Sequence, residues 1–427
     1  MAKIAHTLLL AAVDVGSSKI CAMIALDRPG QALEVIGIGH TTAGGIRSGV
    51  VVDLEAAQYA IGRAVQEAED ATGERLTSVL INISGGGIES QRLVVHRNIE
   101  DEEITSADMS ALLATAVPET AAAERLLLHK IAVQYTLNDT IVVDDPKGMA
   151  AQRLSADAHL VHTDRTVATT LVRAVRGCHL EVASVVASPY ASALSCLVED
   201  ERQLGATVID MGAGTTTVAV FQGGVLIYLA SIPVGGHHIT MDIARGLSTS
   251  VVDAERIKVS HGSALANTLD DRDILEIPIV GETDKTHTSH VPRSYLTRII
   301  QPRIEETFEM VRALLEEAGL DRATGRLVVL TGGGAQLPGV RDAAAQILEK
   351  KVRLGRPYGL AGLPAECQGA AFATVTGLLR YAQMPPVDAM RLPTASRRRR
   401  EGTSVGGSVS MGGSRLAKAV GWLRENF

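Results

Sequence analysis

The chain has 427 residues, 46% hydrophobic and 21% charged, with a formal net charge of −7. That length calls for two or more domains with sizeable cores, and the acidic balance argues against non-specific nucleic-acid binding. Aromatic residues are only 3%, so the cores must rest on Ala, Val, Leu and Ile, and the four cysteines (21, 178, 196, 367) show no spacing for a disulfide framework or a paired zinc site, which fits a reducing cytoplasm.

In chain order, the run IAHTLLLAAV at 4–13 reads as a first strand rather than a secretory apolar core, being short and preceded only by Lys3. Asp14, Gly16, Ser17, Ser18 and Lys19 follow, and then a second strand. The spacing of Leu54, Ala57, Ile61, Val65 and Ala68 predicts a helix over 53–72, with Asp53 as its cap. A strand at 79–84 ends in Gly85-Gly86-Gly87. Residues 88–160 read as a small α+β unit, strand-like at 88–96 and 131–143 with a helix over 106–117. A helix at 165–177, a strand at 180–187 and a helix at 189–199 after Pro189 close the first half.

The second half opens with three strands over 206–234, then helices near 238–246 and 252–262. Residues 264–292 look like a short β segment with a polar turn. A long helix over 294–319 carries Ile300, Ile304, Phe308, Val311 and Leu315 on one face. A strand at 326–331 runs into Gly332-Gly333-Gly334 and a helix from about 338. Beyond Pro385-Pro386, residues 391–414 are rich in Arg, Gly and Ser and read as a flexible linker. The last residues regain a helical pattern. No apolar run reaches about 20 residues, so no transmembrane helix is expected.

Two stretches match each other. Asp14-Val15-Gly16-Ser17-Ser18-Lys19 and Asp210-Met211-Gly212-Ala213-Gly214-Thr215-Thr216 each join two apolar strands and differ by one inserted residue. Such a pair, near the starts of two halves, suggests an internal duplication. The glycines allow tight turns and close backbone approach to a ligand, and successive N–H groups in such turns bind anions. Ser17, Ser18, Thr215 and Thr216 add hydroxyls. Carboxylates beside polyphosphate make sense if Mg²⁺ lies between Asp14 and Asp210, through water. A third glycine site, VVLTGGGAQLPGV at 328–340 with Gly332, Gly333, Gly334 and Gln336, suits a flat base or an α-phosphate. Read alone, each loop is an ordinary glycine turn; together they point to a nucleotide. Glu255 and Lys258 share one helix face, and taken alone they read as a solvated ion pair.

Together these pieces resemble the actin/hexokinase/chaperone superfamily: its two phosphate loops, its adenosine motif (331–339), and its connecting helices in ASPYASAL (187–194) and QGAAFATVTGLL (368–379). Within it, GGIRSGVVVDLEAA (44–57), INISGGGIES (81–90), DDPKGMAAQRL (144–154) and PVGGHHITMDIARGLSTSVVDAERIK (233–258) resemble the FtsA family of bacterial cell-division actins. The resemblance implies an α/β, actin-like ATPase fold with two duplicated halves around a nucleotide cleft. It divides the chain into 1–84 with 163–199 as the first core subdomain (1A), an inserted subdomain at 85–162 (1C), 200–245 with 320–384 as the second core (2A), and an outer subdomain at 246–319 (2B). A linker at 385–413 and a terminal amphipathic helix at 414–427 follow. It further implies ATP and Mg²⁺ as cofactors, with Gly235 and Gly236 near the phosphates and Glu255 and Lys258 flanking the nucleoside. Implied partners are the C-terminal peptide of FtsZ, bound on the outer subdomain where Arg303 matches a basic position, other copies of the chain in head-to-tail filaments, further division proteins and an anionic membrane. The implied place is the cytoplasmic face of the inner membrane at the division site. No general base stands out, so ATP hydrolysis is left open, with at most a weak ATPase activity expected and a nucleotide-gated assembly switch the preferred reading. A small-molecule kinase and an actin-like pilus component are the alternatives.

Two departures from the family stand out. Ala213 replaces a frequent glycine, so the local φ cannot be positive without strain. His237-His238 occupy a place usually held by small polar residues and read as ordinary loop histidines. In the tail, Leu416, Val420, Leu423 and Phe427 form one stripe at 100° per residue, widened by Ala419 and Trp422. At about 21 Å that helix is too short to span a bilayer but suits its interface. Arg397, Arg398, Arg399 and Arg400 would add roughly 1 kcal/mol each near anionic lipid.

Overall fold

The computed structural model describes residues 7–100, 103–117, 124–267, 270–281, 288–321 and 325–384. The linker and tail at 385–427, with Arg397–Arg400 and the Leu416, Val420, Trp422, Leu423 and Phe427 face, lie outside the described residues.

The first half begins with β1 (Leu8–Val15), β2 (Lys19–Asp27) and β3 (Leu33–Thr42), an antiparallel meander. A small ribbon, β4 (Ile46–Arg47) and β5 (Val50–Val51), leads into α1 (Leu54–Thr72). Asp53 caps α1 by accepting from the Ala56 amide, and Gly73 ends it at φ 73°. β6 (Ser78–Ile83) then pairs parallel with β1.

The insert comprises β7 (Glu89–Asn98), α2 (Ser106–Thr115), β8 (Arg125–Leu137), β9 (Ile141–Val143) and β10 (Arg153–Asp164), with sheet order β7-β10-β8-β9. The strand-like run at 131–143 is thus two strands split at a turn where Asn138 and Asp139 take positive φ. β10, the central strand, has no counterpart among the expected elements. It is buried at nearly every position, so it lacks the alternation that marks a half-exposed strand. The insert has its own core, built around Ile104, Leu112, Leu154 and Leu160.

α3 (Arg165–Gly177), β11 (Glu181–Ala187) and α4 (Ser188–Cys196) return to the first half. The helix expected over 189–199 stops at Cys196, and a separate short α5 (Glu199–Leu204) follows. The second half repeats the first. β12 (Ala206–Met211), β13 (Thr216–Gln222) and β14 (Val225–Ile232) form a meander. Then come α6 (Gly236–Leu247), α7 (Val251–His261), the hairpin β15 (Ile274–Pro278) and β16 (Thr288–Pro292), and α8 (Arg293–Glu317). β17 (Leu327–Thr331), α9 (Val340–Leu348) and β18 (Lys351–Leu354) complete the second sheet.

With β19 at Leu360–Ala361, the sheet orders are β11-β6-β1-β2-β3-β19 and β14-β13-β12-β17-β18. Read from the third meander strand, both run outer meander strand, middle strand, carboxylate strand and two parallel strands, the first sheet adding one short strand beyond β3. This is the duplication that the paired loops suggested. β19 (Leu360–Ala361) pairs with β3, and α10 (Ala373–Ala382) packs on β1 and α4. The stretch 320–384, assigned whole to the second core, therefore crosses back to the first after β18. Short strands and a helix carry no label of which sheet they join; the buried faces of Leu378 and Leu379 decide it.

Candidate functional site

The glycine-rich ends of β1, β12 and β17 meet at one cavity of about 690 Å³. Its walls include Asp14, Gly16, Ser17, Ser18 and Lys19 from the first hairpin and Asp210, Gly212, Gly214 and Thr215 from the second. Gly236, Glu255, Lys258, Gly332, Gly333, Gly334 and Gln336 complete the expected set. Thr216 and Gly235 stand behind the wall. The Thr216 hydroxyl donates to the Val234 carbonyl at 2.8 Å, and a Cβ on Gly235 would lie 2.6 Å from the Gly212 carbonyl oxygen.

The hairpin tips touch. A Cβ on Gly214 would sit 2.5 Å from Ser17 Oγ and 2.8 Å from Ser48 Cα, so only glycine fits. Gly16, Gly212 and Gly214 have ordinary φ; among the cavity glycines only Gly332 is left-handed, at φ 84°. These turns need glycine for space rather than for φ. Ala213 is likewise free of positive φ, so the turn carries an alanine there without strain. His237 and His238 lie in the first turn of α6 rather than in a loop, and His238 Nδ1 accepts from the Gly235 amide at 3.1 Å.

The carboxylates find their direct partners within the protein. Asp14 Oδ1 accepts from Asn82 Nδ2 at 2.7 Å, and that same amide group reaches Ser188 Oγ at 3.0 Å. Asp210 Oδ2 accepts from Ser192 Oγ at 2.5 Å and from Thr374 Oγ1 at 3.2 Å. Each side chain thus has one anchored oxygen and one with no protein hydrogen bond among the described residues. Burial pushes the Asp14 carboxyl up to about 7, with Lys19 opposing and Asp210 reinforcing the rise. Burial also raises Asp210, against the pull of the Ser192 and Thr374 hydrogen bonds. Two buried carboxylates whose charged forms burial disfavours, each with a spare oxygen at a cavity, suit a divalent cation. The buried Thr217 hydroxyl, also on the cavity, has no partner among the described residues. Ligand groups of a magnesium nucleotide therefore fit the residues present.

Lys19 reaches across the cavity. Its ammonium donates to the Ala371 carbonyl at 2.9 Å and lies 3.1 Å from the centroid of the Phe372 ring. Glu255 and Lys258 are not a free-standing ion pair: Lys258 Nζ also bonds the Gly236 carbonyl at 3.1 Å and Thr240 Oγ1 at 2.8 Å. This ties α7 to the start of α6. Arg303 lies off this cavity, in a second one of about 370 Å³ lined also by Arg47, His237, His238 and Arg245. Its Nε donates to Asp242 at 2.7 Å, and Glu306 pairs with it as well. The charge expected to face a partner is thus already matched within the chain.

Asn82, Ser188, Ser192 and Thr374 are site residues that the motif reading does not reach. All four lie inside segments that the family resemblance rests on, as small polar side chains in otherwise apolar runs. That is the signal that could have found them.

Two matching halves around a cavity ringed by three glycine-rich strand ends define the actin-like fold. A solved PilM–PilN type IV pilus biogenesis complex shares it with a TM-score of 0.63 at 16% identity, over 88% of this chain and 99% of that one. So does MreB5 of Spiroplasma citri bound to ADP, with a TM-score of 0.50 at 14% identity, over 87% and 95%. The family model described as cell division protein FtsA matches residues 207–377, and that of the SHS2 domain inserted in FtsA matches 85–162. The cell division protein FtsA of Agrobacterium fabrum is 39% identical over 98% of this chain and 95% of its own. The chain belongs to the FtsA family of actin-like cell division proteins.

Proposed function

We propose that the chain binds ATP with Mg²⁺ and, as a head-to-tail polymer, tethers FtsZ filaments to the cytoplasmic face of the inner membrane at the division site. There it helps recruit later division proteins. The observation that carries the nucleotide reading is the convergence of residues from both halves on one cavity. The amides and hydroxyls at 16–18 and 212–215 would hold the phosphates, with Lys19 as counter-charge. The free oxygens of Asp14 and Asp210 would hold Mg²⁺ through water. Glu255, Lys258, Gly332–Gly334 and Gln336 would hold the nucleoside. Bound Mg²⁺ would offset part of the negative charge of the triphosphate and the two carboxylates.

The chain acts chiefly as a nucleotide-dependent scaffold, with hydrolysis at most weak. Family membership supports a division-site role, and no described helix is long and apolar enough to cross a membrane. Membrane contact is assigned to Arg397–Arg400 and the 414–427 helix, two weak signals that polymer avidity would add together. FtsZ contact is assigned to the outer subdomain with Arg303, which must then exchange Asp242 or Glu306 for the peptide's acidic groups.

Co-sedimentation with anionic vesicles and an FtsZ C-terminal peptide, with and without ATP, tests the whole reading. Deleting 414–427 should abolish vesicle binding and leave ATP binding intact. Vesicle binding that survives the deletion would remove the anchor from the proposal.

A further inference from the structure

α4 is buried along its whole length, yet it carries serines, which are poor helix-interior residues because their hydroxyls compete for backbone groups. Ser192 does not fold back onto its own helix. Its hydroxyl is fully buried and lies 2.5 Å from Asp210 Oδ2 and 2.9 Å from Thr374 Oγ1. Thr374 lies in the first turn of α10 and reaches the same carboxylate oxygen at 3.2 Å. One turn before Ser192, Ser188 meets Asn82, which holds Asp14. One turn after it, Cys196 Sγ lies 3.5 Å from Thr331 Oγ1, where β17 runs into the third glycine site. One face of one helix thus reaches all three strand ends of the cavity.

The geometry points to Ser192, assisted by Thr374, as a positioning residue that fixes the metal-facing oxygen of Asp210 and ties it to α4 and α10 together. This deepens the magnesium–nucleotide reading and rests on it. Outer partners of metal-binding carboxylates set ligand orientation, and their removal typically weakens metal binding by about 10–100-fold. With Oδ2 held by two hydroxyls, Oδ1 is the oxygen left for the metal and its water. Without Ser192 the carboxylate keeps one weaker donor and can rotate. The same bonds would make α4 and α10 stiffer when the metal is held.

The test uses the full chain and calorimetric titration of ATP with Mg²⁺ and with EDTA. The wild type should bind ATP more tightly with Mg²⁺. Ser192→Ala should lose about tenfold of that gain and match the wild type in EDTA. Ser195→Ala, on the same helix but with a hydroxyl that among the described residues meets only the Ser192 carbonyl and Cys196, should keep the full gain. Thr374→Val should lose part of it and Thr374→Ser retain it, which keeps the idea testable if Ser192→Ala does not fold. Hydrogen exchange in 188–196 and 373–382 should slow on adding Mg-ATP to the wild type and not to Ser192→Ala. A wild-type Mg²⁺ gain in both Ser192→Ala and Thr374→Val would overturn the inference while leaving the nucleotide reading standing. A wild type that binds ATP equally with and without Mg²⁺ would overturn the magnesium reading itself.

Discussion

Single atoms decide much of the site. Gly332 combines φ 84° with a Cβ position 2.2 Å from Asp210 Oδ1, so Gly332→Ala meets both backbone strain and a collision with the carboxylate. We expect it to abolish ATP binding and to destabilise the protein by about 1–3 kcal/mol, read by urea unfolding. Ala213→Gly makes the contrast. No strain is relieved there, so the extra freedom of the unfolded chain should lower stability by about 0.4–1 kcal/mol, with ATP binding kept. Asp14 adds a pH dependence. Its carboxyl stands at about 7 in the fold against 3.8 unfolded. The folded state therefore holds the proton more tightly. This stabilisation is complete below 3.8 and is lost as pH rises through about 7, on a scale of roughly 4 kcal/mol at about 1.4 kcal/mol per unit. The ligand-free protein should lose urea stability between pH 4 and 7, and Asp14→Asn should flatten that slope. Mg²⁺ with ATP should release a proton on binding near pH 6.5.

At the scale of elements, the halves meet through α4 and α10. They cross so closely that a Cβ on Gly377 would lie 1.7 Å from the Ala191 carbonyl oxygen. Both atoms are backbone-fixed, so no side chain can yield. Gly377→Ala should lower the melting temperature more than any surface helix substitution, and hydrogen exchange should rise in both helices first. The insert touches both sides of this junction. His129 of β8 accepts from the Ala187 amide at 3.0 Å, and its ring lies edge-on to Tyr190 and Tyr381. On the other side, Ser90 exchanges hydrogen bonds with Leu229 of β14, and His159 lies between Ser90 and the Leu226 carbonyl. Burial holds the His159 imidazole down at about 4, so it stays neutral, with its Nδ1–H donating to the Leu226 carbonyl. His159→Phe should remove the side-chain donor to the Leu226 carbonyl and speed exchange along 225–232, a change visible by mass spectrometry.

At the scale of the whole molecule, two sheets of matching order place their carboxylate strands against one cavity, and a ligand there joins the halves. Saturating Mg-ATP at a hundred times its dissociation constant should stabilise the protein by about 2.7 kcal/mol. The effect should be absent in a chain lacking either carboxylate.

The sequence by itself determined the parts whose causes are local. Apolar periodicity placed α1, α3, α8 and the meander at 206–234 close to their observed ends. The acidic–glycine turns marked β1 and β12 as twins, because a turn motif and its flanking strands lie within about twenty residues. Residues 88–160 read as a small α+β unit from their own pattern, while its status as an insert with bounds 85–162 came from the family resemblance.

Only the tertiary structure decided what faces those turns. Asn82 reaches Asp14 across 68 residues, and Thr374 reaches Asp210 across 164. A lone serine or threonine in an apolar helix gives no periodic sign of such a bond. β19 and α10 return to the first half, and Asp242 and Glu306 neutralise Arg303, for the same reason. Backbone pattern is written in neighbours along the chain. The partner of a buried polar group is chosen by which elements pack against it, and that choice exists only once the two halves have closed.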